Sequence, residues 1–152
     1  MKFQKIFLPV IAAGVLAVSA GSAFAGEADI KYRKSVMKAV GGHMTAMSLI
    51  LKGEAGDMKN ISAHADAMAG LAQAALSAFP KDSSKMDGET EATMDIWDKP
   101  DEFKKVAMAF VDHSNKLADA AKSGDKGAIG EALGALGKNA CKTCHDGFRE
   151  KK

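Results

Sequence analysis

Apolar side chains recur at steps of three, four and seven residues along most of the chain, which is the period of an amphipathic α-helix. The first such stretch covers about residues 29–52 and stops at Gly53. The second starts after Asp57, a plausible N-cap, and is predicted to run to Phe79, where Pro80 closes it. These stretches predict two helices joined by a short turn.

Two further helices are predicted in the second half of the chain. Pro100 suits the first turn of a helix because its fixed backbone angle matches and its missing N–H is not needed there. Gly124 provides a stop for this third helix. Asp125 can cap a fourth helix, which carries an apolar stripe to Ala140.

A long polar segment, residues 81–99, separates the two pairs of helices. We interpret it as a crossover loop in which Ile96 and Trp97 fold back as an anchor, since long loops in compact domains usually have something to pack on. Two short turns and one long connection predict an all-α antiparallel four-helix bundle. Four aromatic residues are expected to be substantially buried in it: Phe79, Trp97, Phe103 and Phe110.

Composition narrows the class of protein further. Aromatic residues make up only 6% of the chain, which favours helices over strands. The formal charge of +2 comes from 21 basic and 19 acidic residues. The chain therefore lacks the excess of basic residues that is typical of nucleic-acid-binding proteins. Two cysteines are too few for a small disulfide-rich scaffold.

Residues 1–25 have the organisation of a secretory signal peptide. Lys2 and Lys5 precede an apolar run, and Ala23-Phe24-Ala25 fits the small-x-small cleavage pattern. The run is too short to span a membrane. We therefore predict one exported, periplasmic domain over residues 26–152, without stable membrane insertion after cleavage.

The C-terminal region contains Cys141-Lys142-Thr143-Cys144-His145, the C-x-x-C-H attachment sequence of c-type haem. Two thiols on one helical turn can add to the two vinyl groups at one edge of a porphyrin. The adjacent imidazole then reaches the iron from the same side. The motif predicts one covalently bound haem c, with its iron.

Three other interpretations of these residues fit less well than haem attachment. A thioredoxin-like pair needs a βαβ context, which is not predicted here. A zinc site needs further ligands, and the chain has no other cysteine. A structural disulfide leaves His145 without a role.

Haem attachment at the end of a four-helix chain resembles the class II cytochromes c, the cytochrome c prime family. Besides the C-terminal motif, the matching pieces are Lys31-Tyr32-Arg33 and Asp95-Ile96-Trp97, followed by Phe103 and Phe110. The resemblance implies a haem between the helices with His145 as the proximal iron ligand. It also implies that Arg33 lies near a haem propionate and Arg149 by the proximal face. The alternative for both arginines is a solvated helix surface.

The family divides by what faces the other side of the iron. One branch leaves that side open behind a hydrophobic residue, is high-spin and binds NO and CO. The other supplies a first-helix Met, is low-spin and carries electrons. Met37 stands five residues after Tyr32, where the family places this residue, and Gly41 one turn later would let a porphyrin approach the helix. We therefore predict the low-spin branch, with Met37 as the sixth ligand.

Other potential ligands were ranked lower. Met44, Met47 and Met68 have the spacing of core residues. His43 is on a different helix face from Met37, whereas His64 falls in or beside the stripe of the second helix and His113 on that of the third. A bis-histidine iron remained the lesser alternative.

These observations predict a periplasmic electron carrier, not an enzyme, whose haem iron is held by His145 and Met37. Its partners would be periplasmic redox proteins, and it would be a monomer or a homodimer. The alternative is a high-spin, five-coordinate protein that binds NO or CO. No catalytic carboxylate pair, Ser-His-Asp set or phosphate loop is present in the sequence.

Overall fold

The computed structural model describes residues 22–151, with side chains from residue 26 onward. The predicted signal peptide, residues 1–25, thus lies almost entirely outside the described residues. Within the described part, no helix combines the length and the apolar character needed to cross a membrane.

Four long helices form the molecule, as predicted. Helix α1 covers Ser22–Lys52, α2 covers Ile61–Leu76, and the short α3, Asp95–Asp98, precedes α4, Pro100–Ser123. The last long helix has three parts, which are α5 (Lys126–Leu136), a π-helical turn (Gly137–Lys142) and α6 (Thr143–Phe148). Helix α2 packs against α1 and α4, and α4 packs against α5. The all-α four-helix bundle is confirmed.

Local chemistry determines where most of these helices begin and end. Pro100 occupies the first turn of α4, and Gly124 ends that helix with φ of 70°, a left-handed conformation that favours glycine. The Asp125 carboxylate accepts a hydrogen bond from the backbone N–H of Ala128 at 2.6 Å and caps α5. Each of these three positions was predicted.

The second helix departs from prediction at both ends. Asp57 caps a single 3₁₀ turn, Met58–Asn60, which leads into α2. At the other end α2 stops at Leu76, three residues before the predicted Phe79. The Ala78 carbonyl accepts a hydrogen bond from the Arg33 guanidinium, and Pro80 has no N–H to continue a helix. Pro80 leaves the Leu76 carbonyl without a donor four residues on, which accounts for the early end of α2.

One end of the bundle holds a closely packed core, here called the packed end. Its buried members come from all four long helices and include Met47 and Met68, both predicted as core. Eight of them are Val40, Met47, Ile50, Ile61, Met68, Leu117, Ile129 and Leu136.

A smaller cluster lies toward the C-terminus of the last helix. The Phe103 ring is edge-to-face with Phe79 at 4.8 Å and with Phe148 at 5.4 Å between ring centroids. Ile96 of the crossover segment is buried in a cluster with Ala92 and Phe148, and the Trp97 indole N–H donates to the Pro80 carbonyl at 3.0 Å. The predicted Ile96-Trp97 anchor is therefore present.

Candidate haem site

A cavity of about 920 Å³ occupies the other end of the bundle, here called the cavity end. This volume is near the upper limit of the roughly 300–1,000 Å³ that small-molecule and cofactor pockets span. Its walls come from α1, α2, the crossover segment, α4 and the last helix. Both cysteines and His145 line it, as do Met37 and Arg33.

The aromatic residues of this end are not completely buried. Phe79, Phe103 and Phe110 are only half-buried because their faces form the cavity wall. Trp97 is also half-buried, outside the cavity. The sequence pattern identified the inward helix face correctly, but periodicity cannot distinguish a face that meets protein from one that meets a ligand.

The attachment motif begins in an unusual turn. Cys141 lies in the π-helical turn and Cys144 in the α6 helix that follows it. Such turns insert a residue into a helix and are frequent at functional sites. Both thiols are unpaired and half-buried on the cavity wall. Burial raises the pKa of the Cys141 thiol and raises that of Cys144 to about 11, so both are protonated near neutral pH.

His145 is positioned at the rim of the cavity. The residue as a whole is exposed, yet protein around the ring displaces enough water to lower the pKa of the imidazole, and the positive charge of Arg149 lowers it further. A lowered pKa favours the neutral ring, which is the form that binds a metal ion.

The chain end beyond His145 is tied to the crossover segment. The Arg149 guanidinium forms an ion pair with the Glu91 carboxylate, its Nε donating at 2.7 Å. Backbone hydrogen bonds join Thr93 N–H to the Phe148 carbonyl at 3.1 Å and Glu150 N–H to the Glu91 carbonyl at 2.8 Å. Arg149 follows the end of α6 in an extended conformation. Arg149 is thus exposed, as the surface alternative expects, but it lies beyond the helix and is ion-paired.

For Arg33 the alternative of a solvated helix surface is wrong, because only 3% of the residue is exposed. Its terminal nitrogens donate to the Ala78 carbonyl, to the Ser83 hydroxyl and carbonyl, and to the Thr90 hydroxyl, at 2.8–3.2 Å. The guanidinium also lies over the Phe79 ring, 4.9 Å from its centroid. Arg33 thus fastens the crossover segment to α1 at the cavity wall. No sequence pattern points to Ser83 or Thr90, since nothing local marks a distant hydrogen-bond partner.

On α1, Met37 and Gly41 face the cavity one turn apart. Met37 is half-buried, and a Cβ added at Gly41 would meet no protein atom within 4 Å. Met44 contributes to the same wall and lies against the packed core. The absent side chain at Gly41 therefore leaves room beside Met37 for a flat group.

The remaining histidines are not part of this site. His43, His64 and His113 do not line the cavity. His43 instead pairs with His64, their Nδ1 atoms 2.9 Å apart. The bis-histidine alternative therefore loses its candidate ligands.

The residues present fit a c-type haem better than the competing interpretations. The two neutral thiols and the imidazole share one wall of a cavity whose other walls are largely apolar, as a macrocycle requires. No strand precedes the motif in residues 22–151, as a thioredoxin-like pair would need. Across the same residues, no group of three or more His, Cys, Asp or Glu could hold a metal ion.

Comparison with known proteins also indicates a protein with a c-type haem. Residues 28–149 match the model of the family described as Cytochrome C'. The chain belongs to this family. A cytochrome c' of Pararhodospirillum photometricum is 42% identical over 82% of this chain and 98% of its own. One of Rhodospirillum rubrum is 37% identical over 80% of this chain and 82% of its own.

Solved structures of cytochrome c' share the fold. A ferrous variant of the protein from Alcaligenes xylosoxidans with bound NO superposes with a TM-score of 0.75 at 31% identity, over 84% of this chain and 97% of that one. A carbon monoxide-bound variant of the same protein gives a TM-score of 0.75 at 31% identity, over 83% and 97%. As a cytochrome c' family member, this protein binds a covalently attached haem c.

Proposed function

We propose that Cys141 and Cys144 hold the haem by two thioether bonds and that His145 is the proximal ligand of its iron. Support comes from the three side chains sharing one cavity wall. In each attachment the thiol adds across a vinyl group, so sulfur bonds to one carbon and hydrogen to the other, with no leaving group. Haem should stay with the chain on acid extraction, and mass spectrometry should show one haem per chain.

We further propose that the protein binds NO and CO. The haem iron would supply a coordination position for the gas on the side away from His145. The Met37 side chain, together with the open space at Gly41, would border that position from α1. The observation that carries this proposal is the likeness, across nearly the whole described chain, to a cytochrome c' that has been solved with NO and with CO.

Electron transfer with Met37 as sixth ligand is the second candidate. It was our first prediction from the sequence, and one observation favours it, namely that the Met37 thioether lines the same cavity as His145. A His/Met pair raises the reduction potential of a haem. The comparisons do not support the low-spin, Met-ligated branch and favour the gas-binding alternative.

We also propose the following properties, which the sequence predicts and which belong to either candidate function. The protein is exported to the periplasm after cleavage at Ala25, where it meets redox partner proteins as a monomer or homodimer. A role for Arg33 beside a haem propionate also stays a prediction. Arg33 lines the cavity, while its terminal nitrogens bond to the crossover segment.

Carbon monoxide binding to the ferrous holoprotein distinguishes the two candidate functions. Met37→Ala, Met37→Leu and the control Met108→Leu, at an exposed position on α4 away from the cavity, form a matched series. We expect the unmutated protein to bind CO, Met37→Ala to bind it faster by roughly tenfold, equivalent to about 1.4 kcal/mol, and Met108→Leu to match the unmutated protein. A protein that binds CO only after Met37 is replaced would instead be the electron carrier.

A further inference from the structure

Two histidines meet at the interface of α1 and α2, outside the haem cavity. The Nδ1 atoms of His43 and His64 are 2.9 Å apart, and the rings are inclined by 63° with centroids 5.1 Å apart. Both side chains are half-buried, so water reaches the pair. The haem site uses neither of them.

The separation of these nitrogens is that of a hydrogen bond, and it also fits two ligands of one metal ion. Two imidazole nitrogens bound to one ion at about 2.0–2.1 Å and 2.9 Å from each other subtend an angle of about 90°. This is the angle between neighbouring ligands in square-planar or tetragonal coordination, which Cu²⁺ and Ni²⁺ adopt. A tetrahedral ion would need the nitrogens roughly 3.3 Å apart at the same bond length.

The neighbours of the pair one turn away on the two helices are uncharged. One turn away along α1 are Ala39 and Met47, and one turn away along α2 are Asn60 and Met68. None of these carries a charge. Because no third His, Cys, Asp or Glu completes a cluster among residues 22–151, water would fill the other coordination positions.

We propose that His43 and His64 form a binding site for Cu²⁺ or Ni²⁺ that bridges α1 and α2. The ring that donates the hydrogen bond moves its proton from Nδ1 to Nε2, so that each Nδ1 offers a lone pair, and two metal–nitrogen bonds replace the hydrogen bond. An ion that binds only the folded chain stabilises it by mass action. The site lies on a different face of α1 from Met37, so occupancy leaves the haem spectrum unchanged.

Titration of the holoprotein with NiCl₂ by calorimetry tests the site, with variants His43→Asn and His64→Asn. His113→Asn is the matched control because His113 is also half-buried but lies on α4, away from the pair. We expect one saturable ion per chain in the unmutated protein, at least tenfold weaker binding in each pair variant, and no change in the control. Weak binding by the chain terminus or surface carboxylates is common to all four proteins and cancels in the comparison.

A second measurement does not depend on the variants folding. Paramagnetic resonance of Cu²⁺ added to the unmutated holoprotein should show hyperfine splitting from two equivalent nitrogens. Splitting from one nitrogen or none, the absence of one-to-one Ni²⁺ binding, or a loss of affinity in only one or neither pair variant would each overturn the proposal. The two rings would then form a hydrogen bond only.

Discussion

The two ends of the bundle are built from the same four long helices, yet they are packed differently. At the packed end, residues such as Met47, Met68 and Leu136 are completely buried against one another. At the cavity end, Phe79 and Phe103 have the same helical spacing but remain half-buried around the cavity. The packed end is complete as protein alone, whereas the cavity end requires the haem to cover its apolar walls.

This difference explains where polar interactions concentrate. The cavity end cannot rely on close packing, so buried or paired polar groups hold its crossover segment in place. Arg33 fastens that segment to α1, and the Arg149–Glu91 ion pair fastens it to the end of the last helix. The stability of this end is expected to depend on these contacts and on the cofactor together.

Loss of the haem should have the largest effect and should be confined to the cavity end. In the double variant Cys141→Ser, Cys144→Ser, we expect the free energy of unfolding to fall by more than in any substitution below, because the apolar cavity walls lose the group that covers them. Amide hydrogen exchange should accelerate over residues 78–98 and 141–149 and change less around Leu136. Equal acceleration at both ends would show that the two ends are not energetically distinct.

Shortening a buried side chain at the packed end should lower the free energy of unfolding without changing the haem chemistry. Leu136 is fully buried, so Leu136→Ala removes transfer free energy and leaves a cavity, at a cost of about 2–5 kcal/mol. Chemical denaturation of the holoprotein measures the loss, and the visible spectrum should not change. The control Met108→Ala, at an exposed position on α4 outside the cavity, should cost much less.

Arg33 stabilises the cavity end by hydrogen-bonding the crossover segment to α1. Arg33→Met removes the donors of three partners, the Ala78 carbonyl, Ser83 and Thr90, and should cost about 1–3 kcal/mol. Arg33→Lys should recover only part of this stability, because an ammonium group lacks the several coplanar N–H donors of a guanidinium. Exchange over residues 78–90 reports the effect, and Lys34→Met, an exposed neighbour, is the control. Unchanged exchange in Arg33→Met would mean that the crossover segment is held by other contacts.

The smallest effect should come from the start of the last helix, which lies at the packed end. Asp125→Ala removes the acceptor for the Ala128 N–H and should cost about 1 kcal/mol. Thermal unfolding measures it, with the exposed mid-helix Asp112→Ala as control. If the two substitutions cost the same, the cap is not what stabilises this helix start.

The sequence predicts features of this protein to the extent that their causes are local. Pro100, Gly124 and Asp125 mark helix ends through their own backbone and side-chain chemistry, and the Cys141–His145 motif is contiguous. The burial of Arg33 and the pairing of His43 with His64 depend on residues 21–57 positions away. No local pattern contains such contacts. The choice between gas binding and electron transfer depends on whether Met37 reaches the iron, which helical periodicity does not address.

The spin state of the unmutated holoprotein tests the central claim most directly. If His145 is the sole axial ligand and Met37 only borders the open side, visible and paramagnetic resonance spectra of the ferric protein should be those of a high-spin haem, and the ferrous protein should bind CO without losing a prior ligand. A low-spin ferric spectrum that becomes high-spin in Met37→Leu would contradict this account and establish Met37 as a ligand.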